Sequence, residues 1–160
     1  MVFKDKSSDF KALEPKIRVK AMCLLLLKGH VFVADGSSMK SSVRSVEASK
    51  FYRVIGGSID FDEDAETAVR REVREELNTE IEDLTHLDVV ENRFTYTGER
   101  GHEVIFLYKG IPKKKDWDMA RPFHIIEDTY EFDAVWVPIH ALLHGEITLY
   151  PMLDYRKYIG

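Results

Sequence analysis

The run Gly56-Gly57-Ser58-Ile59-Asp60-Phe61-Asp62-Glu63-Asp64-Ala65-Glu66-Thr67-Ala68-Val69-Arg70-Arg71-Glu72-Val73-Arg74-Glu75-Glu76-Leu77-Asn78-Thr79 contains one helix with acidic residues where apolar ones are expected. Ala65, Ala68, Val69, Val73 and Leu77 recur at three- and four-residue spacings, which defines the buried stripe of an α-helix. On a wheel advancing about 100° per residue, Glu72 and Glu76 fall inside that stripe and Glu75 lies on its edge. Three carboxylates therefore converge over one turn on the inward face. A buried carboxylate without a partner is too costly to keep charged, so such groups are paired, protonated or bound to metal. Oxygen donors crowded in this way suit a hard divalent cation such as Mg²⁺ or Mn²⁺.

Two plainer readings compete with a metal site. Arg70, Arg71 and Arg74 could pair with the glutamates at helical spacing, which would make the run a solvated charged face. That account suffices for Glu63 and Glu66, which lie off the stripe or ahead of it. It fails for Glu72 and Glu76, because it would leave two charges in the core. The run Asp60-x-Asp62-x-Asp64 resembles the start of an EF-hand calcium loop, but that loop needs Gly at its sixth position and Glu at its twelfth. Ala65 and Arg71 occupy those positions, so the EF-hand reading is excluded.

Upstream, Phe51-Tyr52-Arg53-Val54-Ile55 is an aromatic and β-branched run that predicts a strand. Asp64 is a credible N-cap, with Glu66 in the first turn favoured by the helix dipole. Asn78 is the stop signal, because Asn tolerates the left-handed conformation that closes a helix. The predicted unit is strand, glycine loop, helix. Glycines in that loop let the backbone approach a ligand closely, and a bare carbonyl there can ligate a metal.

The spacing Gly57-x5-Glu63-x7-Arg71-Glu72-Val73-x-Glu75-Glu76-x-Asn78-Thr79 resembles the Nudix box, Gly-x5-Glu-x7-Arg-Glu-U-x-Glu-Glu-x-Gly-U, where U is aliphatic. Every charged position matches. Asn78 stands in place of Gly, Thr79 in place of the aliphatic residue, and Ile55 where a proline commonly precedes the two glycines. None of these departures touches a carboxylate that the resemblance assigns to metal.

The resemblance implies an α/β fold, an α/β/α sandwich around a mixed β-sheet, formed by residues 1–160 as a single domain. It implies hydrolysis of a nucleoside diphosphate linked to another moiety, with Mg²⁺ as cofactor and Mn²⁺ as a possible substitute. Glu72, Glu75 and Glu76 would ligate the metal together with the Gly57 carbonyl. Arg71 would hold the glutamates in place, and Glu63 would pair structurally with it. Many family members add a late glutamate as ligand or general base; Glu131 is the first choice here, Glu127 the second, and Glu72 itself a further candidate for the base. Arg53 is a candidate phosphate contact, with an exposed strand arginine as the equal alternative. Phe51, Tyr52, Tyr130, Phe132 and Trp136 could stack a base, although strand aromatics more often pack a core. The short layout is similar to MutT-like nucleoside-triphosphate pyrophosphatases. Hydrolysis of diadenosine polyphosphates or ADP-ribose, or a catalytically silent nucleotide-sensing role, are the alternatives. By the resemblance, diadenosine-polyphosphate hydrolases often carry a tyrosine near the position of Tyr96, and ADP-ribose hydrolases a proline near that of Phe94, which is absent here.

Composition sets the bounds. The chain has 160 residues, 44% of them hydrophobic, and a formal net charge of −5, which argues against intrinsic disorder. Mild acidity disfavours duplex nucleic acid as a partner; the small-molecule nucleotide or diphosphate substrate is what the resemblance implies, and a homodimer is possible. Cys23 is the only cysteine, so it cannot form an intramolecular disulfide, and its apolar surroundings mark a core thiol. Residues 1–20 are charged throughout without a signal-peptide core, and the apolar run 21–27 is too short to span a bilayer. A soluble cytoplasmic protein is expected.

Elsewhere, Ile17–Leu27 predicts a strand, fully buried over residues 24–27 where alternation stops. Residues 31–34 return as its hairpin partner after Lys28-Gly29-His30. Residues 35–50 and 112–122 predict exposed loops, the second with three consecutive lysines that read as a solvated stretch. Strands are predicted over 87–96, 104–109 and 134–138, and a short helix over 139–144.

Overall fold

The computed structural model describes residues 15–38, 51–96, 98–127 and 130–160. Strand β1 (Ile17–Leu27) is the axis of a mixed sheet, pairing in parallel with β5 (Glu99–Pro112) along one edge. Its other edge is shared. Residues 20–23 pair antiparallel with β3 (Tyr52–Ser58), and residues 25–27 with β2 (His30–Asp35). Outward from β2 come β7 (Tyr130–Pro138) and then β6 (Phe123–Glu127), whereas β4 (Ile81–Tyr96) forms the far edge beside β5. A two-residue strand, β8 (Leu149–Tyr150), runs parallel to β3. Helix α1 (Ala65–Leu77) covers one face, and α2 (Ile139–Leu143) and α3 (Arg156–Ile159) belong to the other.

The strand pleat explains why β1 does not alternate. Ala21, Cys23 and Leu25 pack with Ala68, Val69, Val73 and Leu77 of α1. Met22 and Leu24 pack on the opposite face with Leu142 of α2, Leu149 and Tyr155. A strand covered on both faces reads as a continuous apolar run. The fully buried residues are 21–25 rather than 24–27, because Leu26 and Leu27 approach the exposed turn at Lys28-Gly29, both with positive φ. Each of Val69, Val73 and Leu77 is fully buried, and each contributes on the order of 1.5–3 kcal/mol relative to solvent exposure. Burial also pushes the Cys23 thiol well above its ordinary pKa, which makes it a packing group rather than a nucleophile.

The remaining differences from expectation have local causes. Gly56 and Gly57 lie inside β3, paired with Met22 and Ala21, rather than in a loop. A Cβ at Gly56 would run into the Ala21 carbonyl and Met22, so the glycine permits close strand packing. Strands β4 and β5 form a longer ribbon than predicted, with register shifts between Glu82 and Thr85 and between His86 and Asp88. Segment 113–122 is irregular but not merely exposed. Trp117 is buried against Phe32, Phe123 and Trp136, its Nε1 donating to the Lys114 carbonyl at 2.7 Å. The lysines are solvated as expected, Lys114 near Asp116 and Lys115 near Glu82. Residues 39–50 of the predicted loop 35–50 lie outside the described residues, and 36–38 form a 3-10 turn.

Candidate active site

Helix α1 begins and ends where its capping residues dictate. Asp64, in extended backbone, accepts a hydrogen bond from the Thr67 N–H at 2.8 Å. At the other end Asn78 takes φ 54° and ψ 43°, and its N–H donates to the Arg74 carbonyl at 3.0 Å. Asn therefore occupies the left-handed position in place of Gly. Thr79 is buried, and its hydroxyl has two partners. It accepts from the Lys114 N–H at 3.0 Å and donates to the Glu80 carbonyl at 3.1 Å. A hydroxyl is thus accommodated where an aliphatic side chain was expected.

With the helix fixed, its stripe delivers carboxylates to the sheet. Glu72 is 8% exposed and Glu76 half-buried. One oxygen from each lies within 4.8 Å of the other and of an oxygen of Glu127. Glu127 comes from the end of β6. Phe123 and Ile125 on that strand face α1, so strand alternation sends Glu127 to the same side. Glu131 points the other way. Its neighbour Phe132 packs in the core beneath α1, whereas Glu131 and Asp133 hold His124, at 2.9 Å to Nε2 and 2.8 Å to Nδ1. The structure therefore brings the second-choice glutamate to the cluster and turns the first choice to the opposite face.

The electrostatics follow from this crowding. Burial, and then the charge of Glu127, raises the Glu72 pKa, against the opposing pull of Arg71. Glu76 is raised further, chiefly by burial and then by a hydrogen bond with Glu127 and the charges of Glu127, Glu72 and Glu75. A hydrogen bond between two carboxyl groups needs a proton on one of them, and the raised pKa of Glu76 lets it keep that proton, which reduces the negative charge buried in the cluster. A divalent cation replaces that proton with a stronger counter-charge. This all-oxygen donor set fits a hard cation of the Mg²⁺ class.

Gly57 sets the floor of the site. A Cβ there would collide with the Glu72 carboxylate, which rests directly against the bare backbone. Arg71 forms the wall. Its Nε and Nη2 grip the two oxygens of Glu63 at 2.7 and 2.9 Å, and Nη2 also donates to the Ser58 carbonyl at 3.2 Å. Its Nη1 reaches Glu72 at 3.2 Å and Glu75 at 3.4 Å. The guanidinium hydrogen bond, then the Asp60 N–H, hold the Glu63 carboxyl down at about 2.

The other sequence candidates are placed as follows. Glu75 is exposed beside Arg71, outside the three-carboxylate group. Arg53 is half-buried on β3, four residues before Gly57, in register with Ala34 and Tyr150. Phe132 and Trp136 are core residues, Phe51 packs edge-on to Tyr150, and the side chain of Tyr130 lies outside the described residues. Among the described residues, no helix is long and apolar enough to cross a membrane.

A family model described as NUDIX domain matches residues 16–155. A search of curated proteins found no match. Among solved structures, the chain is similar to a MutT NUDIX hydrolase from Burkholderia pseudomallei at 24% identity, covering 79% of this chain and 86% of that one, with a TM-score of 0.51. It is also similar to a NUDIX hydrolase from Nitrosomonas europaea at 16% identity, covering 89% of this chain and 86% of that one, with a TM-score of 0.59. Identities this low establish a common fold and leave the substrate to be argued from the site.

Proposed function

The chain belongs to the Nudix family of pyrophosphohydrolases, and from that premise we propose that it is a Mg²⁺-dependent, MutT-like nucleoside-triphosphate pyrophosphatase. The observation that carries the reading is the cluster of Glu72, Glu76 and Glu127 oxygens, all within 4.8 Å, packed on the backbone of Gly57. In this reading Glu72, Glu75, Glu76 and the Gly57 carbonyl hold the cation, with Glu127 beside them. Bound there, it would neutralise diphosphate charge and lower the pKa of a ligated water.

The remaining roles belong to the chain itself. Arg71 is a positioning residue: gripped by Glu63, it holds Glu72 and Glu75 and leaves the substrate to other groups. Glu72 is committed to Arg71 and to the Gly57 floor, so Glu127, which comes from a different element, is the better general base. Arg53 would meet the outer phosphates. The water oxygen bonds to one phosphorus of the α–β anhydride and gives its proton to the base, while the bond from that phosphorus to the bridging oxygen breaks. The bridging oxygen leaves with one phosphoryl group, giving a nucleoside monophosphate and pyrophosphate.

The test is a screen of the full chain with Mg²⁺ and with Mn²⁺ against nucleoside triphosphates, ADP-ribose, diadenosine polyphosphates, NADH and 5′-triphosphorylated RNA. Monophosphate and pyrophosphate released from a triphosphate are the expected products. Preferred turnover of ADP-ribose or a diadenosine polyphosphate would replace the substrate assignment, and turnover of nothing would favour a nucleotide-sensing module.

A further inference from the structure

The face of the sheet opposite α1 carries a second group of metal-ligating side chains. His140 and His144 lie one turn apart at the two ends of α2, with ring centroids 6.2 Å apart. One ligand atom from each, together with a carboxylate oxygen of Glu146, lies within 4.8 Å of the others, and all three residues are exposed. Leu142, between the histidines, packs in the cluster with Met22 and Leu24. The sheet therefore separates this group from Glu72 and Glu76, which stand on the α1 side.

The backbone accounts for the convergence. Two histidines at i and i+4 share one helix face. Helix α2 then closes in a Schellman turn. The Gly145 N–H donates to the Leu142 carbonyl at 3.2 Å, and the Glu146 N–H to the Ala141 carbonyl at 2.9 Å. Gly145 takes φ 75°, which reverses the chain and folds Glu146 back beside the helix end. The third ligand is thus placed by the same turn that terminates the helix. The carbonyls at this end are the negative pole of the peptide dipoles, which also favours a cation.

Two imidazoles and one carboxylate differ in kind from the all-oxygen site on α1. Imidazole nitrogen suits Zn²⁺, Ni²⁺ and Cu²⁺, whereas Mg²⁺ prefers oxygen. We propose that His140, His144 and Glu146 form a second metal site, selective for a transition-metal cation of the Zn²⁺ class. Three protein ligands leave a fourth tetrahedral position open to water or to an added ligand. Exposed side chains can close to the roughly 3.3 Å ligand separation of a tetrahedral zinc centre by small rotamer changes. An open groove of about 700 Å³ is lined by His144 together with Ile147, Leu149, Met152 and Tyr155, so the site borders a solvent-accessible recess.

The test uses the full chain with Mg²⁺ in excess, which saturates the carboxylate site. Zn²⁺ is titrated calorimetrically into the wild type and into the double variant His140→Ala/His144→Ala. Co²⁺ absorption provides a second readout, because imidazole ligation in a tetrahedral field gives intense visible bands. The wild type should take up one Zn²⁺ equivalent that Mg²⁺ does not displace. The double variant should lose that equivalent, and Glu146→Gln should weaken it by at least about tenfold, since losing even an outer-shell partner costs that much. Mg²⁺-dependent turnover and metal-free Tm should be the same in all three proteins, because the altered side chains are exposed and remote from α1. Equal Zn²⁺ uptake by the wild type and the double variant, or displacement of the wild-type equivalent by Mg²⁺, overturns the proposal.

Discussion

Arg71 grips Glu63 with two parallel hydrogen bonds, Nε to one carboxylate oxygen at 2.7 Å and Nη2 to the other at 2.9 Å. The pair spans the loop and the helix, so the guanidinium that also touches Glu72 and Glu75 cannot swing away. Bidentate geometry fixes direction as well as distance, which Lys cannot reproduce.

The same pair makes stability depend on acid. Glu63 stays ionised in the folded protein down to about 2, whereas an unfolded carboxylate takes up its proton near 4.5. The stabilisation is therefore complete above about 4.5 and is lost as pH falls through 2. Urea midpoints measured across this window should converge for wild type and Glu63→Gln as pH drops, the wild type being the more stable at neutral pH. A gap between them that does not shrink on acidification would refute the pairing.

Glu76 behaves in the opposite sense. Its raised pKa means that the folded chain keeps a proton after the unfolded chain has released it. Metal-free stability therefore falls as pH rises above the ordinary carboxylate range. Glu76→Gln carries no proton to lose, so its metal-free Tm at neutral pH should exceed that of the wild type. Added Mg²⁺ should raise the wild-type Tm and leave the variant nearly unchanged. Hydrolysis should drop by on the order of 10² to 10³, because the charge that anchors the cation is gone. A variant with full activity and a normal Mg²⁺ response would remove Glu76 from the site.

Helix α1 was legible because its signals are local. Asp64, Asn78 and the stripe from Ala68 to Leu77 each act within a turn or two, and the structure places each of them as its chemistry predicts. Elements built by long-range pairing were less legible. Strand β6 is a five-residue edge whose one fully buried side chain is Ile125, and its partner β7 alone defines it. Gly56 and Gly57 carry turn propensity, yet the ladder to β1 overrides it. Sequence position does not separate Glu131 from Glu127, whereas the pleat puts Glu127 beside Glu72 and Glu76 and Glu131 beside His124, since a one-residue step in a strand reverses the face. Only knowing that Phe132 is buried under α1 would have revealed this.

That reversal gives a direct comparison. Glu127→Gln should reduce Mg²⁺-dependent kcat by at least about 10², the scale of losing a positioned base or ligand. Glu131→Gln should change kcat little, because its carboxylate faces His124 on the other side of the sheet. It should instead lower the His124 pKa, which the hydrogen bonds that the ring donates to Asp133 and then Glu131 hold above its ordinary value. Titration of the His124 ring by NMR reads this shift separately from turnover. Loss of activity in Glu131→Gln with normal turnover in Glu127→Gln would invert the assignment.

Thr79 tests whether a departure from the family pattern has been absorbed by its surroundings. Its hydroxyl is the acceptor for the Lys114 N–H, so the segment leading to Trp117 is tied to the end of α1 through it. Thr79→Val restores the aliphatic character of the pattern and keeps the side-chain shape, but it leaves that N–H without its acceptor. An unmet buried donor costs about 1–3 kcal/mol, so the variant should be destabilised even though it is closer to the family sequence. Asn78→Gly should be nearly neutral by comparison, since glycine adopts φ 54° freely. Asn78→Ala should cost about 1–2 kcal/mol, the penalty for placing a Cβ in left-handed backbone. Urea unfolding of the three variants ranks these effects. A Thr79→Val protein more stable than the wild type would show that hydrophobic burial at this position outweighs the bond to Lys114.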